Sequence, residues 1–370
     1  MNYYIIAGEA SGDLHGSNLM KELYAQDNQA NIRFWGGNLM QKVGGILVKH
    51  YRELAFMGFA EVVLNLKTIL NNIKFCKQDI EKFNPDVIIF IDYPGFNMRI
   101  AKWAKLKGIK THYYIAPQIW ACKENRIKEI KRDFDKLSVI LPFEKDFFEK
   151  KHNFPVAFVG HPLIDAIHNQ KYVDADSFRK ENGLDQKPII ALLPGSRKQE
   201  ISKMLSVMLS VVDDFTEHQF VIAGAPSQDF SFYKQFLNGK NIKFVSNKTY
   251  DLLSNSVAAL VTSGTATLET ALFKVPEVVC YKGNWISYQI AKRIITLKYI
   301  SLVNLIMDEE VVTELIQKNC NSKKIKQELT KLLEETNRKK ILQKYDELEL
   351  KLGGIGASEK VASLIMKQIS

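Results

Sequence analysis

Short runs of β-branched and aromatic residues alternate along the chain with longer amphipathic stretches. The runs Tyr3–Ala7, Ile32–Trp35, Val87–Ile91, Thr111–Ile115, Leu137–Leu141 and Ala157–Val159 predict one series of strands. A second series is predicted at Ile189–Leu193, Phe220–Ala223, Ile242–Val245, Ala258–Val261 and Val278–Tyr281. Most of these runs are continuously apolar, as a strand buried on both faces requires. Buried strands separated by helical patterns predict parallel sheets with helical crossovers, hence an α/β fold of two open, doubly wound halves. After Tyr281 the pattern predicts lysine-rich helix to the end. Between the two series the polar stretch Asp165 to Pro188 reads as a linker. The expected organisation is a first domain over residues 1–165, a second over 166–345, and a helix over 346–370 that packs back on the first.

Composition narrows this only slightly. At 370 residues one core is overstretched, and 46% hydrophobic with 25% charged residues excludes disordered and fibrous classes. The first residues enter a strand pattern directly, with no basic segment before an apolar one, so no secretory signal is expected. No run of about 18 apolar residues exists, because Glu61, Asn65 and Lys67 interrupt the nearest approach at Leu54–Leu70. Cys76, Cys122, Cys280 and Cys320 are scattered, which argues against a disulfide framework or a zinc cluster and suits a reducing compartment. The net charge of +10 does change the picture: it predicts an anionic partner, whether nucleic acid, phospholipid surface or phosphorylated substrate.

Ligands of doubly wound sheets bind outside the carboxyl ends of the strands, so the turns after strands are where chemistry is expected. The first turn, Ala7-Gly8-Glu9-Ala10-Ser11-Gly12-Asp13, puts glycines at a helix start, where free N–H groups favour anions, and two carboxylates at its mouth. Its spacing is not that of a dinucleotide fingerprint. Asp13 has the alternative role of a helix cap. The turn Thr262-Ser263-Gly264-Thr265 before Glu269 offers N–H and hydroxyl donors to a diphosphate, with Glu269 placed to accept ribose hydroxyls. The alternative is a capped helix with a solvated glutamate. In Pro194-Gly195-Ser196-Arg197, the Arg197 guanidinium suits a departing diphosphate, and a cation at a helix start is otherwise unhelpful.

Asp92 ends the buried run Val87–Ile91 just before Tyr93-Pro94, a natural place for a general base whose apolar surroundings raise its pKa. A loop-stabilising Asx turn is the plainer alternative. The aromatic loop Ala116-Pro117-Gln118-Ile119-Trp120-Ala121 suits an amphiphilic ligand, with Gln118 as polar anchor. Asp133-Phe134-Asp135 and Asp174-Ala175-Asp176 have the spacing of divalent-ion sites in sugar transferases, but neither follows a buried strand. Both read as solvated, so no metal is expected. Lys123, Arg126, Lys128, Lys131 and Arg132 lie on a helix with Ile127 and Ile130 inward, a solvated face or a contact for an anionic membrane. Phe56, Met57, Gly58, Phe59, Val62, Val63, Leu66 and Ile69 are apolar enough for such a contact, although core packing is the better explanation of them.

Taken in order, these motifs resemble the lipid-A-disaccharide synthase family: Ala7–Asp13, Ile91-Asp92 with Asn97, Ala116–Ala121, Gly160-His161-Pro162, Leu193–Arg197, Thr262–Glu269 and Ser301-Leu302-Val303-Asn304. The resemblance runs from near residue 1 to about residue 320. It implies a metal-independent GT-B glycosyltransferase of two Rossmann-like domains, the first facing acceptor and membrane and the second holding the donor. The implied reaction moves 2,3-diacylglucosamine from its UDP conjugate to 2,3-diacylglucosamine 1-phosphate, giving a β-1,6-linked disaccharide and UDP, with no cofactor. The implied catalytic set is Asp92 with Glu9 and Asp13. The donor set is Ser196, Arg197, Gly224, Ser263, Gly264, Thr265 and Glu269, to which the resemblance adds Asn304, Glu314 and Gln317. Association with the cytoplasmic face of an anionic inner membrane, and a homodimer, are implied too. The chain departs from the family pattern at Ser17, Val303 and Thr313, where the family has alanine, proline and proline.

Two other readings stand beside this one. A UDP-sugar 2-epimerase shares the architecture and a similar donor site. A nucleic-acid-binding protein rests on charge alone, has no recognisable reading motif, and is not expected.

Overall fold

The computed structural model describes residues 1–54, 66–170, 172–237, 239–240, 242–283 and 298–370. Every strand pair among them is parallel. The chain divides into two units, Met1–Asn169 with Leu352–Ser370, and Gln170–Lys351.

The first unit holds strands β1 (Asn2–Ala7), β2 (Asn31–Gly36), β3 (Ile46–His50), β4 (Val87–Ile91), β5 (Lys110–Tyr114), β6 (Lys136–Val139) and β7 (Ala157–Phe158). Their order is β3-β2-β1-β4-β5-β6-β7, so the winding reverses between β1 and β4, where Ala7 pairs with Ile91. Both strands are buried almost throughout, which their unbroken apolar runs require. The helix Leu66–Phe83 turns Ile73, Cys76 and Ile80 to the core at helical spacing. On the same face Asp79 accepts from Arg33 Nε (2.8 Å) and from the Tyr4 hydroxyl (2.8 Å). Trp35 Nε1 in turn donates to the Tyr4 oxygen (2.8 Å), so no member of this sunken polar group lacks a partner.

The Gly160-His161-Pro162 motif fixes the last residues of the chain. Gly160 has φ +92°, and a Cβ there would meet the Leu352 carbonyl at 3.1 Å. His161 N donates to that carbonyl (2.9 Å), and its ring accepts from Leu163 N (3.2 Å) to start the helix Pro162–His168. Asp165 then receives Gly356 N (2.7 Å) and Ser358 N (2.9 Å), capping the helix Ala357–Ile369.

Three buried histidines share this unit. Burial lowers His15 and His112 to about 4 and His161 to about 3, so all are neutral near pH 7. Their folded pKa values lie below the unfolded one, so the stability they confer is complete above about pH 6.5 and is lost as pH falls toward 4. Each contributes a slope of about 1.4 kcal/mol per pH unit in that window. His112 bridges Gln368 Oε1 (2.9 Å) and Ser138 Oγ (2.8 Å). His112→Gln is therefore expected to flatten the acid side of a melting-temperature profile between pH 6.5 and 4. Parallel profiles for variant and wild type would contradict the burial argument.

The second unit holds β8 (Ile189–Leu193), β9 (Gln219–Gly224), β10 (Lys243–Ser246), β11 (Ser256–Thr262), β12 (Glu277–Tyr281) and β13 (Thr313–Ile316), ordered β10-β9-β8-β11-β12-β13. Here the winding reverses between β8 and β11.

Several expectations need correction. β3 and β13 were not predicted; both are edge strands, with Lys49 and His50 in one and Glu314 in the other breaking the apolar signal. Thr313–Ile316 also interrupts the helical pattern expected after Tyr281. The supposed linker is structured: Asp165 is buried and the helix Ala175–Asn182 seats Phe178 in the second core. Asp133 is buried and paired with Arg132 (2.6 Å), not solvated. Asp135 receives Thr111 N (2.9 Å), and Asp174 caps the helix Ala175–Asn182. Cys280 and Cys320, distant in sequence, are both buried in one core and both free thiols. Of the apolar positions offered for membrane contact, Phe56, Met57, Gly58, Phe59, Val62 and Val63 lie outside the described residues, as does the side chain of Leu66; Ile69 is half-buried.

Candidate active site

In the second unit the turns after β8, β9 and β11 surround one cavity of about 370 Å³ at the reversal point. Such a position is expected for a ligand of a doubly wound sheet, and the volume suits a nucleotide-sized molecule. Gly195, Ser196 and Arg197 line it from β8, Gly224 from β9, and Thr262–Ala266 with Glu269 from β11. Two helices begin there, Lys198–Leu209 and Thr265–Leu272. The N-cap of the second is Gly264, which has no side chain to cap it, and its first residues Thr265 and Ala266 line the cavity, where the positive end of the helix dipole lies.

Each glycine has a separate reason. Gly195 has φ +105°, and a Cβ there would press on Glu200 at 2.9 Å. Gly224 lies under the Phe244 ring, which a Cβ would meet at 2.2 Å. That ring stands against Phe230 (5.1 Å) and Tyr233 (4.9 Å), so the wall cannot retreat.

The Arg197 side chain is 73% exposed and among the described residues pairs with Glu200, Nη1 to Oε1 3.2 Å. An exposed pair of this kind holds little energy of its own, leaving the guanidinium available to a diphosphate. Glu269 is deeper: its Oε1 accepts from the Tyr250 hydroxyl (2.7 Å), and burial holds its carboxyl above the usual range. Among the described residues the other Glu269 oxygen has no hydrogen-bond donor, and it can accept from a ligand hydroxyl. The turn's sequence gives no hint of Tyr250, which stands on a different helix, Thr249–Ser254. Thr262 Oγ1 is buried at the cavity with no partner among the described residues.

Ser263 departs from expectation. Its N–H donates to the Cys280 carbonyl (3.3 Å) and its hydroxyl to the Ile300 carbonyl (2.8 Å), so neither donor is left for a diphosphate. Asn304 and Glu314 also differ. The Asn304 amide donates to Val312 O (2.8 Å) and Glu314 Oε1 (2.9 Å), and its oxygen accepts from Val311 N (2.8 Å) and Val312 N (3.0 Å). Glu314 receives Ile300 N (2.9 Å) and Ser301 N (2.9 Å). Both side chains are occupied internally and lie away from the cavity wall. Their effect on it is indirect: they fix Ile300, whose carbonyl fixes Ser263. Gln317 is likewise absent from the wall, and its side-chain nitrogen is buried without a partner among the described residues.

In the first unit the reversal between β1 and β4 brings together the Ala7–Asp13 turn and Asp92. Asp92 and Tyr93 are both left-handed, with φ +45° and +51°, and Ile115 after β5 is too, at +61°. Consecutive non-glycine residues in that region are strained unless held. Here the Asp92 carbonyl accepts from the Asn97 amide (2.6 Å) and the Tyr113 hydroxyl (2.8 Å). The turn is pinned through its backbone, and neither of these two bonds draws on the carboxylate. Burial raises the Asp92 carboxyl above its ordinary value, opposed in part by the Tyr93 N–H.

Glu9 is exposed just before the helix Ala10–Gln26. Its charge reaches the Tyr93 phenol, which burial chiefly and Glu9 in addition hold above the usual range. The Tyr93 ring lies on Gly8, where a Cβ would come within 2.3 Å. Asp13 does not belong with these two. Its carboxylate is buried and receives Gly37 N (2.8 Å), Leu39 N (3.0 Å) and Met40 N (3.0 Å), capping the helix Asn38–Val43. It is a cap, but of a neighbouring helix and not of its own.

The aromatic loop after β5 has Ala116 and Ile119 buried, Gln118 exposed and Trp120 partly exposed. Glu144, absent from the sequence reading, is buried beneath it, and burial pushes its carboxyl up to about 7. The Pro142-Phe143-Glu144 pattern at a helix start was the available signal.

Comparison with known proteins gives the family and the fold. A family model described as lipid-A-disaccharide synthetase matches residues 3–368. A relative named lipid-A-disaccharide synthase from Syntrophus aciditrophicus is 36% identical over 99% of this chain and 97% of its own. Another of that name, from Coxiella burnetii, is 36% identical over 98% and 96%. Among solved structures, UDP-GlcNAc 2-epimerase from Neisseria meningitidis bound to UDP-GlcNAc aligns with a TM-score of 0.69 at 14% identity, over 99% of this chain and 100% of that one. The glycosyltransferase of kitacinnamycin aligns at 0.67 with 12% identity, over 100% and 99%. These neighbours share the GT-B-like fold. Sequence relatedness along almost its whole length places the chain in the lipid-A-disaccharide synthase family, glycosyltransferases of lipid A biosynthesis.

Proposed function

We propose that the chain transfers 2,3-diacylglucosamine from its UDP conjugate to the 6-hydroxyl of 2,3-diacylglucosamine 1-phosphate, with inversion at the anomeric carbon. The observation behind the donor half is the cavity where two helix N-termini, Arg197 and Glu269 converge. The helix starts and Arg197 receive the diphosphate, and Glu269 accepts ribose hydroxyls. For the acceptor half it is Asp92, a partly buried carboxylate on a strained turn pinned through its backbone carbonyl.

Asp92 takes the proton of the 6-hydroxyl as its oxygen attacks C1 of the donor sugar. The C1–O bond to the diphosphate breaks, its electron pair leaves with UDP, and Arg197 with the helix N–H groups stabilises the departing charge. Attack opposite the leaving group turns an α-linked donor into the β-1,6 product. Glu9 lies beside this turn and orients acceptor hydroxyls.

Both substrates are anionic amphiphiles, in keeping with a chain of net charge +10. No helix among the described residues is long and apolar enough to cross a membrane. Leu70 (55% exposed) and Phe75 (46% exposed) on the helix Leu66–Phe83 provide apolar contact for association with the cytoplasmic face of an anionic inner membrane. The deciding assay is UDP release from the lipid-linked donor with and without acceptor. Release that requires the acceptor, with a disaccharide product by mass spectrometry, supports transfer. Acceptor-independent formation of an epimer would overturn it.

A further inference from the structure

Glu144 is 1% exposed, and among the described residues it forms no ion pair. Its Oε2 accepts from Ile140 N (3.1 Å) and Leu141 N (2.9 Å), the end of the chain leaving β6. Its Oε1 accepts from the indole of Trp120 (3.2 Å), in the loop that follows β5. A single carboxylate therefore ties two neighbouring loops at the carboxyl edge of the first sheet. The Phe143 ring meets Trp120 edge-on at 4.8 Å and closes its other side. Inside the loop, Ile119 N bonds Pro117 O (2.7 Å) and Ala121 N bonds Gln118 O (3.1 Å), so little slack remains. The indole is held on these sides and still partly exposed. Its strand, β5, is the neighbour of β4, whose end presents Asp92.

A core tryptophan needs no buried carboxylate to hold it, and sinking a carboxylate is costly unless its oxygens are used. We infer that Trp120 is a fixed apolar platform for the acceptor beside Asp92, and that Glu144 is the positioning residue that sets its angle. This rests on the transfer reading above. An aromatic face packs against the C–H face of a sugar ring or the start of an acyl chain, and an immobile one contributes more because no rotamer is frozen on binding. Glu144 touches no substrate and acts through Trp120.

Glu144→Gln retains the carbonyl for Ile140 and Leu141 but turns an NH₂ toward the indole N–H, donor against donor. In the transfer assay it is expected to raise the acceptor KM about tenfold, with kcat and UDP affinity unchanged. Trp120→Phe, which keeps a ring but removes the tether, is expected to raise the acceptor KM as well. Adding Glu144→Gln to Trp120→Phe is expected to cost nothing further, the sign of a residue acting only through the indole. Equal losses from Glu144→Gln in both backgrounds would overturn the inference. So would an unchanged acceptor KM in Trp120→Phe, which decides the matter even where Glu144→Gln does not fold. Should wild type release no acceptor-dependent UDP, the transfer reading falls separately. Indole emission then tests the platform: titration with 2,3-diacylglucosamine 1-phosphate is expected to shift emission in wild type and not in Trp120→Phe, and identical responses overturn it.

Discussion

Asp92→Asn is expected to lower sugar transfer by about 10²- to 10⁴-fold while leaving UDP affinity unchanged. Asparagine is the informative replacement because it tolerates φ > 0, so the +45° turn survives and only the proton acceptor is lost. Alanine would add backbone strain to the chemical loss. The Asp92 carbonyl keeps its bonds from Asn97 and Tyr113 in the variant, so the melting temperature should move little. Asp13→Asn gives the contrast. It weakens a cap that receives three backbone N–H groups, and any loss of activity should follow loss of stability. Near-wild-type turnover in Asp92→Asn, measured as UDP release at saturating donor and acceptor, would remove Asp92 as the base.

The second large effect belongs to Arg197. Arg197→Ala is expected to weaken UDP binding by about 10- to 100-fold, the cost of one charge-assisted contact to a diphosphate. Because Arg197 is exposed and its pairing with Glu200 is of the weak, solvated kind, the change should leave stability untouched. Lysine in its place should recover only part of the affinity, since it lacks the planar fork. Uridine, which has no diphosphate, should bind variant and wild type alike. Calorimetric titration separates the cases: equal UDP affinities would sink the diphosphate role, and a parallel loss of uridine binding would point to a distorted cavity instead.

How legible all this was in the sequence depended on whether one residue's position was fixed by its neighbours along the chain. Continuous apolar runs identified the central strands, and Val87–Ile91 and Ile189–Leu193 end where they were expected to. Two of the four edge strands, β3 and β13, were opaque, because Lys49, His50 and Glu314 break their apolar runs; β7 and β10, at the other edges, fall on runs that were expected to be strands. Strand order was not written locally either, yet it decides that Asp92 stands next to the first glycine turn and that β8 and β11 share a cavity.

Among candidate side chains, Arg197, Gly224 and Glu269 do line one cavity. Asp13, Ser263, Asn304 and Glu314 read as ligand groups because polar residues at turns look alike in sequence. Which backbone groups they satisfy depends on segments 7 to 37 positions away, whose path the sequence does not reveal. Tyr250 and Glu144 gave the reverse error: each acts on a residue in another element, so no local spacing announces it.

The chain leaves the first unit after Asn169 and re-enters it at Leu352. During synthesis, residues 170–351 are therefore made before the segment that completes the unit begun at residue 1. The second unit can bury both of its cores as soon as its own residues are available. Until the final helix arrives, the first keeps the Asp165 carboxylate and the Gly160-His161 segment without the partners that Leu352, Gly356 and Ser358 supply. It must wait with that seat open while a whole second body folds after it. The second unit therefore has all of its residues before the first does, and a fragment ending near residue 351 would lack part of the earlier unit, not the later one.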